Sequence, residues 1–293
     1  MFLDERRVVG HGASVTRSSE LSLAGQPRRL LPVVTAVAIA AWLAVGLATG
    51  KAGAPHRGGA IGTPSTRVRE VARAAKGKPL LVVLGDSVAA GTACSCGGFG
   101  GSLARVDGSA ALRNAAAEGQ TSAGLLTQLD DPAILSSLRA ATMVTVTVGA
   151  NDFDESLAGT PDCGDLHCYA ATMTGTDSTL GAIATRLRSS TPAGTTILFT
   201  GYWNVFLDGR VGADRGPGYV AASDALTRQF NALVARVATD AGDAYADLYT
   251  PFKAYGSRDD TALLAPDGDH PDAAGQHLIA AAVARAVGLP DPS

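Results

Sequence analysis

The feature that most limits what this chain can fold into is a short run, residues 80–84, reading LLVVL. It has no polar residue to turn towards water. A strand there must be covered on both faces, as in the interior of a parallel sheet. Residues 143–148 (MVTVTV) and 195–200 (TTILFT) are one residue longer and are rich in β-branched residues. Residues 112–116 and 244–248 supply two shorter strand patterns. Helical patterns fill the intervals, at residues 122–129, 132–140, 177–189 and 219–241, and one at 271–287 closes the chain. This alternation predicts one α/β domain: three layers, α/β/α, around a mostly parallel five-stranded sheet. Residues 152–175 read as a long insertion between two elements, with Gly, Pro and two Cys.

Ahead of this domain, residues 30–50 carry no charge and are flanked by Arg28, Arg29 and Lys51. At ~1.5 Å per residue such a helix would span a bilayer core of ~30 Å. Apolar residues on every side, instead of along one stripe, argue against the alternative of a buried core helix. Two readings follow: a transmembrane signal anchor, or a signal peptide cut after a small-x-small site such as Gly46-Leu47-Ala48. Residues 1–29 would then be an N-terminal tail on the cytoplasmic side. Residues 51–65, rich in Gly, Ala and Pro, read as a linker. Residues 66–293 are the globular domain, opening with a helix at 66–76.

Cys94, Cys96, Cys163 and Cys168 all follow the apolar segment. An even number of cysteines in an exported domain points to disulfides and an extracytoplasmic location. Their pairing stays open. Cys163–Cys168 and pairs between the two loops are all sterically accessible, whereas Cys94–Cys96 closes a tight ring. A metal site on Cys163, His167 and Cys168 lacks a fourth ligand. The formal net charge of −3 comes with no basic cluster, so no nucleic-acid partner is expected. The chain is expected to act as a monomer.

Ligands of open α/β sheets bind beyond the carboxyl ends of the strands. There the first strand delivers Gly85-Asp86-Ser87 and the third Gly149-Ala150-Asn151-Asp152. Taken alone, Ser87 is better read as a helix N-cap than as a nucleophile. The other end of the chain shifts that balance, because Asp267-Gly268-Asp269-His270-Pro271 precedes the last helix. A serine nucleophile needs a base, and the base needs an orienting carboxylate. At a spacing of three residues, Asp267 can reach one imidazole nitrogen and leave the other for Ser87. Asp269, adjacent to the histidine, is expected to point away.

These residues resemble the four sequence blocks of the SGNH/GDSL hydrolases, in order, over about residues 80–289. The blocks are Gly85-Asp86-Ser87, then the stretch from Asn114 through Gly119 to Ser122, then Gly149 to Asp152, then Asp267 to Gly275. The resemblance implies a flavodoxin-like fold with Ser87 as nucleophile, His270 as general base and Asp267 as its orienting partner. It also implies an oxyanion hole formed by the N–H groups of Ser87 and Gly119 and the Asn151 amide. Asp86 and Asp152 take structural roles, and no metal or organic cofactor is implied. The two cysteines close behind Ser87 depart from the family pattern and suggest a stapled wall beside the site.

An esterase or lipase acting on small-molecule or lipid esters is therefore expected. An O-deacetylase of acylated glycans or an acyl transferase would use the same site. A silent cell-surface binding module would be expected to lack Ser87, Asn151 or His270, and all three are present. Tyr202, Trp203 and Phe206 follow a strand end, either as pocket wall or as core.

Overall fold

The computed structural model describes residues 79–292, apart from 110, 255 and 257. The apolar segment 30–50, the linker and the expected helix at 66–76 lie outside the described residues. Five strands form one sheet: β1 (Leu80–Gly85), β2 (Ala111–Asn114), β3 (Met143–Thr147), β4 (Thr196–Thr200) and β5 (Ala244–Ala246). Every pairing is parallel, and the order is β2-β1-β3-β4-β5. This is the flavodoxin-like order, whose ligand crevice opens between β1 and β3, where the chain reverses its direction of travel across the sheet.

Nine helices are described: α1 (Ser87–Ala90), α2 (Phe99–Asp107), α3 (Ser122–Gln128), α4 (Pro132–Ala140), α5 (Ala170–Ser190), α6 (Gly209–Asp214), α7 (Pro217–Asp240), α8 (Tyr249–Lys253) and α9 (Ala273–Ala286). α3, α4, α5 and α7 pack along one side of the sheet, and α2 and α9 pack together on the other. The central strands are buried as their composition requires: Leu81 to Leu84 are wholly inaccessible, as are Thr145 and Thr147 of β3. Thr147 is reconciled with the interior by a 2.8 Å hydrogen bond from Thr200 Oγ1 on the neighbouring strand.

Two elements depart from the sequence reading. α2 was hidden by a glycine-rich start, and no side chain of its own segment caps it. α5 begins at Ala170 instead of 177, because Thr172, Thr174 and Gly175 weaken the local helical signal. The expected loop from 152 to 175 is therefore shorter, a series of 3-10 turns up to Tyr169. The cysteines pair locally, Cys94 with Cys96 and Cys163 with Cys168, with Cα separations of 5.2 and 5.3 Å. Both separations lie within the range a disulfide spans, and the bridges between loops do not form. Among the described residues no helix is long and apolar enough to cross a membrane.

Where β1 ends, its backbone lies directly against β3. Gly85 has φ +135°, and a Cβ placed on it would stand 1.9 Å from the Thr147 carbonyl oxygen. The Asp86 N–H donates to that same oxygen at 2.9 Å. Gly85→Ala is thus expected to destabilise the protein by roughly 3 kcal/mol or more, through strain and steric clash together. Thermal unfolding of the purified variant, or its failure to accumulate, checks this.

Candidate active site

Ser87 is the first residue of α1, and the cap of that helix is Asp86, whose Oδ1 accepts from the Val88 N–H at 3.0 Å. Asp86 takes the capping role and leaves the serine hydroxyl without a hydrogen-bond partner among the described residues. Ser87 lines a cavity of about 170 Å³ together with Asp86, Ala150, Asn151, Tyr202, Trp203 and Asp269. Ser87 from the end of β1 and Asn151 from the end of β3 thus meet at the switch point.

Asp86 is almost wholly buried, and its second oxygen accepts a short hydrogen bond from the Tyr202 hydroxyl, which comes from the end of β4. Burial pushes its pKa up from the ordinary 3.8 to about 7, against the lowering effects of the Tyr202 and Val88 hydrogen bonds. The Asp269 charge adds to the rise. The Tyr202 phenol is raised well above 10 by the same burial and by Asp86 itself. Tyr202, Trp203 and Phe206 are both core and wall: each is no more than 5% exposed, and all three line the cavity.

The loops carrying Gly119 and Asn151 are tied together. The Asn151 amide donates to the Gln120 carbonyl at 3.1 Å. Asp152 accepts from the Ser122 N–H at 2.8 Å, the Ser122 hydroxyl at 2.5 Å and Thr176 at 2.8 Å. Asp152 therefore does more than close its own turn, since it fixes the start of α3 as well. Asn114 reaches from β2 to the Ala89 carbonyl behind Ser87, at 2.9 Å. Gly119 lies in an exposed turn at φ +70° and is outside the cavity lining.

On the turn before α9, His270 Nδ1 and Asp267 Oδ2 are 2.9 Å apart. Asp267 Oδ1 accepts from the backbone N–H groups of Asp269 and His270, at 3.0 Å each. Partial burial works against the Asp267 charge, but these two N–H groups and the imidazole outweigh it and hold the carboxyl below its ordinary range. Asp269 does not point away as the sequence led us to expect. Its Oδ2 lies 3.7 Å from His270 Nε2, and it faces the cavity. The cause is Gly268, at φ +73°, where an added Cβ would collide with Val211. The Gly268 carbonyl is held at 2.7 Å by the Asp208 N–H, and Asp208 is clamped by Lys253 Nζ, 2.6 Å from both its oxygens. Desolvation, and the charges of Asp267 and Glu155, raise Asp269 above the ordinary carboxylate range, while His270 opposes them.

The disulfide between Cys94 and Cys96 does not wall the cavity. It sits in a largely exposed loop leading from α1 to α2, and neither cysteine is a lining residue. Cys163 and Cys168 are consumed in their own disulfide, and His167 is paired with Asp165.

A parallel sheet in this order, with Gly-Asp-Ser at its switch point and Asp-x-x-His before its last helix, defines an ester hydrolase of the GDSL type. Residues 83–278 match the GDSL-like lipase/acylhydrolase family, and the chain belongs to that family. Solved structures share the fold. A lipase from a goat rumen metagenome is 17% identical with a TM-score of 0.59, over 71% of this chain and 97% of its own. The acetylxylan esterase of Geobacillus stearothermophilus is 18% identical with a TM-score of 0.52, over 74% and 97%. Phospholipase A1 from Streptomyces albidoflavus is 21% identical with a TM-score of 0.51, over 70% and 98%. Among curated proteins, none matches the chain's sequence.

The Asp86 site carries a pH signature. With its folded pKa near 7 and its unfolded value near 3.8, the native state keeps a proton that the unfolded state releases. The stability contributed by Asp86 is therefore full below about pH 4 and falls as pH rises towards 7. Melting temperatures of wild type and Asp86→Asn, measured from pH 4 to 7.5, should diverge in that sense. Parallel curves would contradict it.

Proposed function

We propose that this protein hydrolyses small, uncharged carboxylic esters through an acyl-enzyme on Ser87. Support comes from the His270 Nδ1 to Asp267 Oδ2 contact of 2.9 Å, on a turn whose neighbour Asp269 faces the same cavity as Ser87. Ser87 Oγ attacks the ester carbonyl carbon while His270 Nε2 takes its proton. Asp267 fixes the imidazole tautomer and stabilises the imidazolium. The carbonyl oxygen becomes an oxyanion, which accepts hydrogen bonds from the N–H groups of Ser87 and Gly119 and from the Asn151 amide. Collapse expels the alcohol, which takes the proton from His270. Water, deprotonated by His270, then releases the acid and restores Ser87.

The cavity narrows the choice of ester. Its polar lining favours a short acyl group over a long lipid chain. Its lining includes the carboxyls of Asp86, Glu155 and Asp269 and the amides of Asn151 and Asn204, with no lysine or arginine. Without a lysine or arginine on this wall an anionic substrate lacks a counter-charge, and amides suit hydroxyl groups. An acylated glycan fits this wall better than an anionic phospholipid. Release of short acyl groups from a glycan is therefore the preferred form of the reaction, ahead of acyl transfer. Two locally paired disulfides and the apolar residues 30–50 support an extracytoplasmic site of action.

Hydrolysis of p-nitrophenyl acetate, butyrate and laurate, and acetate release from an acetylated xylan, test this reading. The acetate should be favoured over the laurate. Ser87→Ala and His270→Ala should each lower kcat/KM by about 10³-fold or more with melting temperature preserved. Asn151→Ala should cost about 100-fold, mainly in kcat. Turnover by Ser87→Ala equal to wild type would sink the acyl-enzyme mechanism.

A further inference from the structure

Four residues cannot hold a helix by local hydrogen bonds alone, yet α1 must present Ser87 in one fixed position. Asp86 is fastened on one side of the serine by Tyr202. On the other side, the Val88 carbonyl accepts from the side-chain amide of Gln276 at 3.1 Å. The same side chain turns its oxygen to the Phe99 N–H at 2.8 Å, at the start of α2. That N–H belongs to a helix whose N-cap residue, Gly98, offers no side chain. Gln276 is 2% exposed, so both bonds are made away from water and neither has a solvent substitute.

Gln276 also sits within the first turn and a half of α9, the helix that follows His270. The start of that helix is fixed by Asp272, which accepts from the N–H groups of Ala274 and Gly275 at 2.8 and 2.9 Å. The Gln276 N–H donates to the Asp272 carbonyl at 2.8 Å. Just before it, Pro271 bridges to Leu264, and the His270 carbonyl accepts from the Ala265 N–H at 2.8 Å. A rigid path thus runs from the imidazole, through the capped start of α9, to the backbone of the residue after Ser87. Helices α2 and α9 share one side of the sheet, so Gln276 bonds to the serine's turn and to α2 from the histidine's own helix.

We infer that Gln276 is a positioning residue, one that sets the spacing between Ser87 and His270 by bonding the base's helix to the nucleophile's turn. This rests on the roles proposed above for Ser87 and His270. The side chain touches no substrate; it acts through the Val88 carbonyl and the Phe99 N–H. Its loss lets the two catalytic elements drift by a fraction of an ångström, which acts on kcat and leaves binding nearly untouched.

Two variants test the inference with p-nitrophenyl acetate and the full chain. Gln276→Met keeps the length and loses both bonds; kcat should fall about tenfold with KM within about twofold. Gln276→Glu keeps an acceptor for the Phe99 N–H but, when ionised, lacks a donor for the Val88 carbonyl. Protonation of that buried carboxyl restores a donor, so the ratio of its kcat to that of wild type should climb as pH is lowered from 8 to 6. A purely structural glutamine would lower melting temperature in both variants with kcat at 25 °C unchanged and the ratio flat, and this result would overturn the inference. If Gln276→Met does not fold, the pH ratio of Gln276→Glu decides alone. Wild-type turnover that disappears in Ser87→Ala keeps the ester hydrolase reading intact whichever way Gln276 falls.

Discussion

At the end of β1 the main chain of Gly85 lies against Thr147 so closely that no side chain fits between them. That contact brings the ends of β1 and β3 together at the switch point of the sheet. Two of the site's residues hang from those two ends: Ser87 two residues beyond Gly85, and Asn151 four beyond Thr147. The Asp86 N–H bond to the Thr147 carbonyl then starts the turn that lifts the serine off the sheet. A residue with a Cβ at position 85 would push the strands apart, and with them Ser87 and Asn151, which line one cavity.

Around this contact, three aspartates of one chemical type are held in different states by their surroundings. Asp86, buried against Tyr202, is driven towards its neutral form. Asp267, which accepts two backbone N–H bonds and faces the imidazole, is held ionised. Asp269, between His270 and the cavity, is raised by desolvation and by neighbouring carboxylates. Only Asp267 has both the charge and the hydrogen-bond geometry to orient an imidazole. Asp269 has the position to influence what enters the cavity. The division follows from burial and donor count, not from residue identity.

The strands were legible in the sequence because burial on both faces forces an unbroken apolar run, and LLVVL has no competing reading. The contact between Asp267 and His270 was legible in their spacing of three residues before a helix, whereas Ser87 and Asn151 stood out only through the resemblance of four blocks taken together. What escaped depends on partners far along the chain. Tyr202 meets Asp86 across 116 positions, and Gln276 meets Phe99 across 177. Helix α2 was missed for that reason, since its first N–H is satisfied by a residue near the other end of the domain. The direction of Asp269 was misread because it is set by the conformation of Gly268, which Asp208 and Lys253 hold in place from outside the motif. The cysteine pairing depended on loop distances that spacing alone did not provide.

The central claim is that one hydroxyl, that of Ser87, forms the covalent bond to the acyl group. It is tested most directly by treating the full chain with a fluorophosphonate and locating the adduct by peptide mass spectrometry. The account predicts one adduct per chain, on the peptide containing Ser87, and none after Ser87→Ala. An adduct on another residue, or equal labelling of Ser87→Ala, would contradict it.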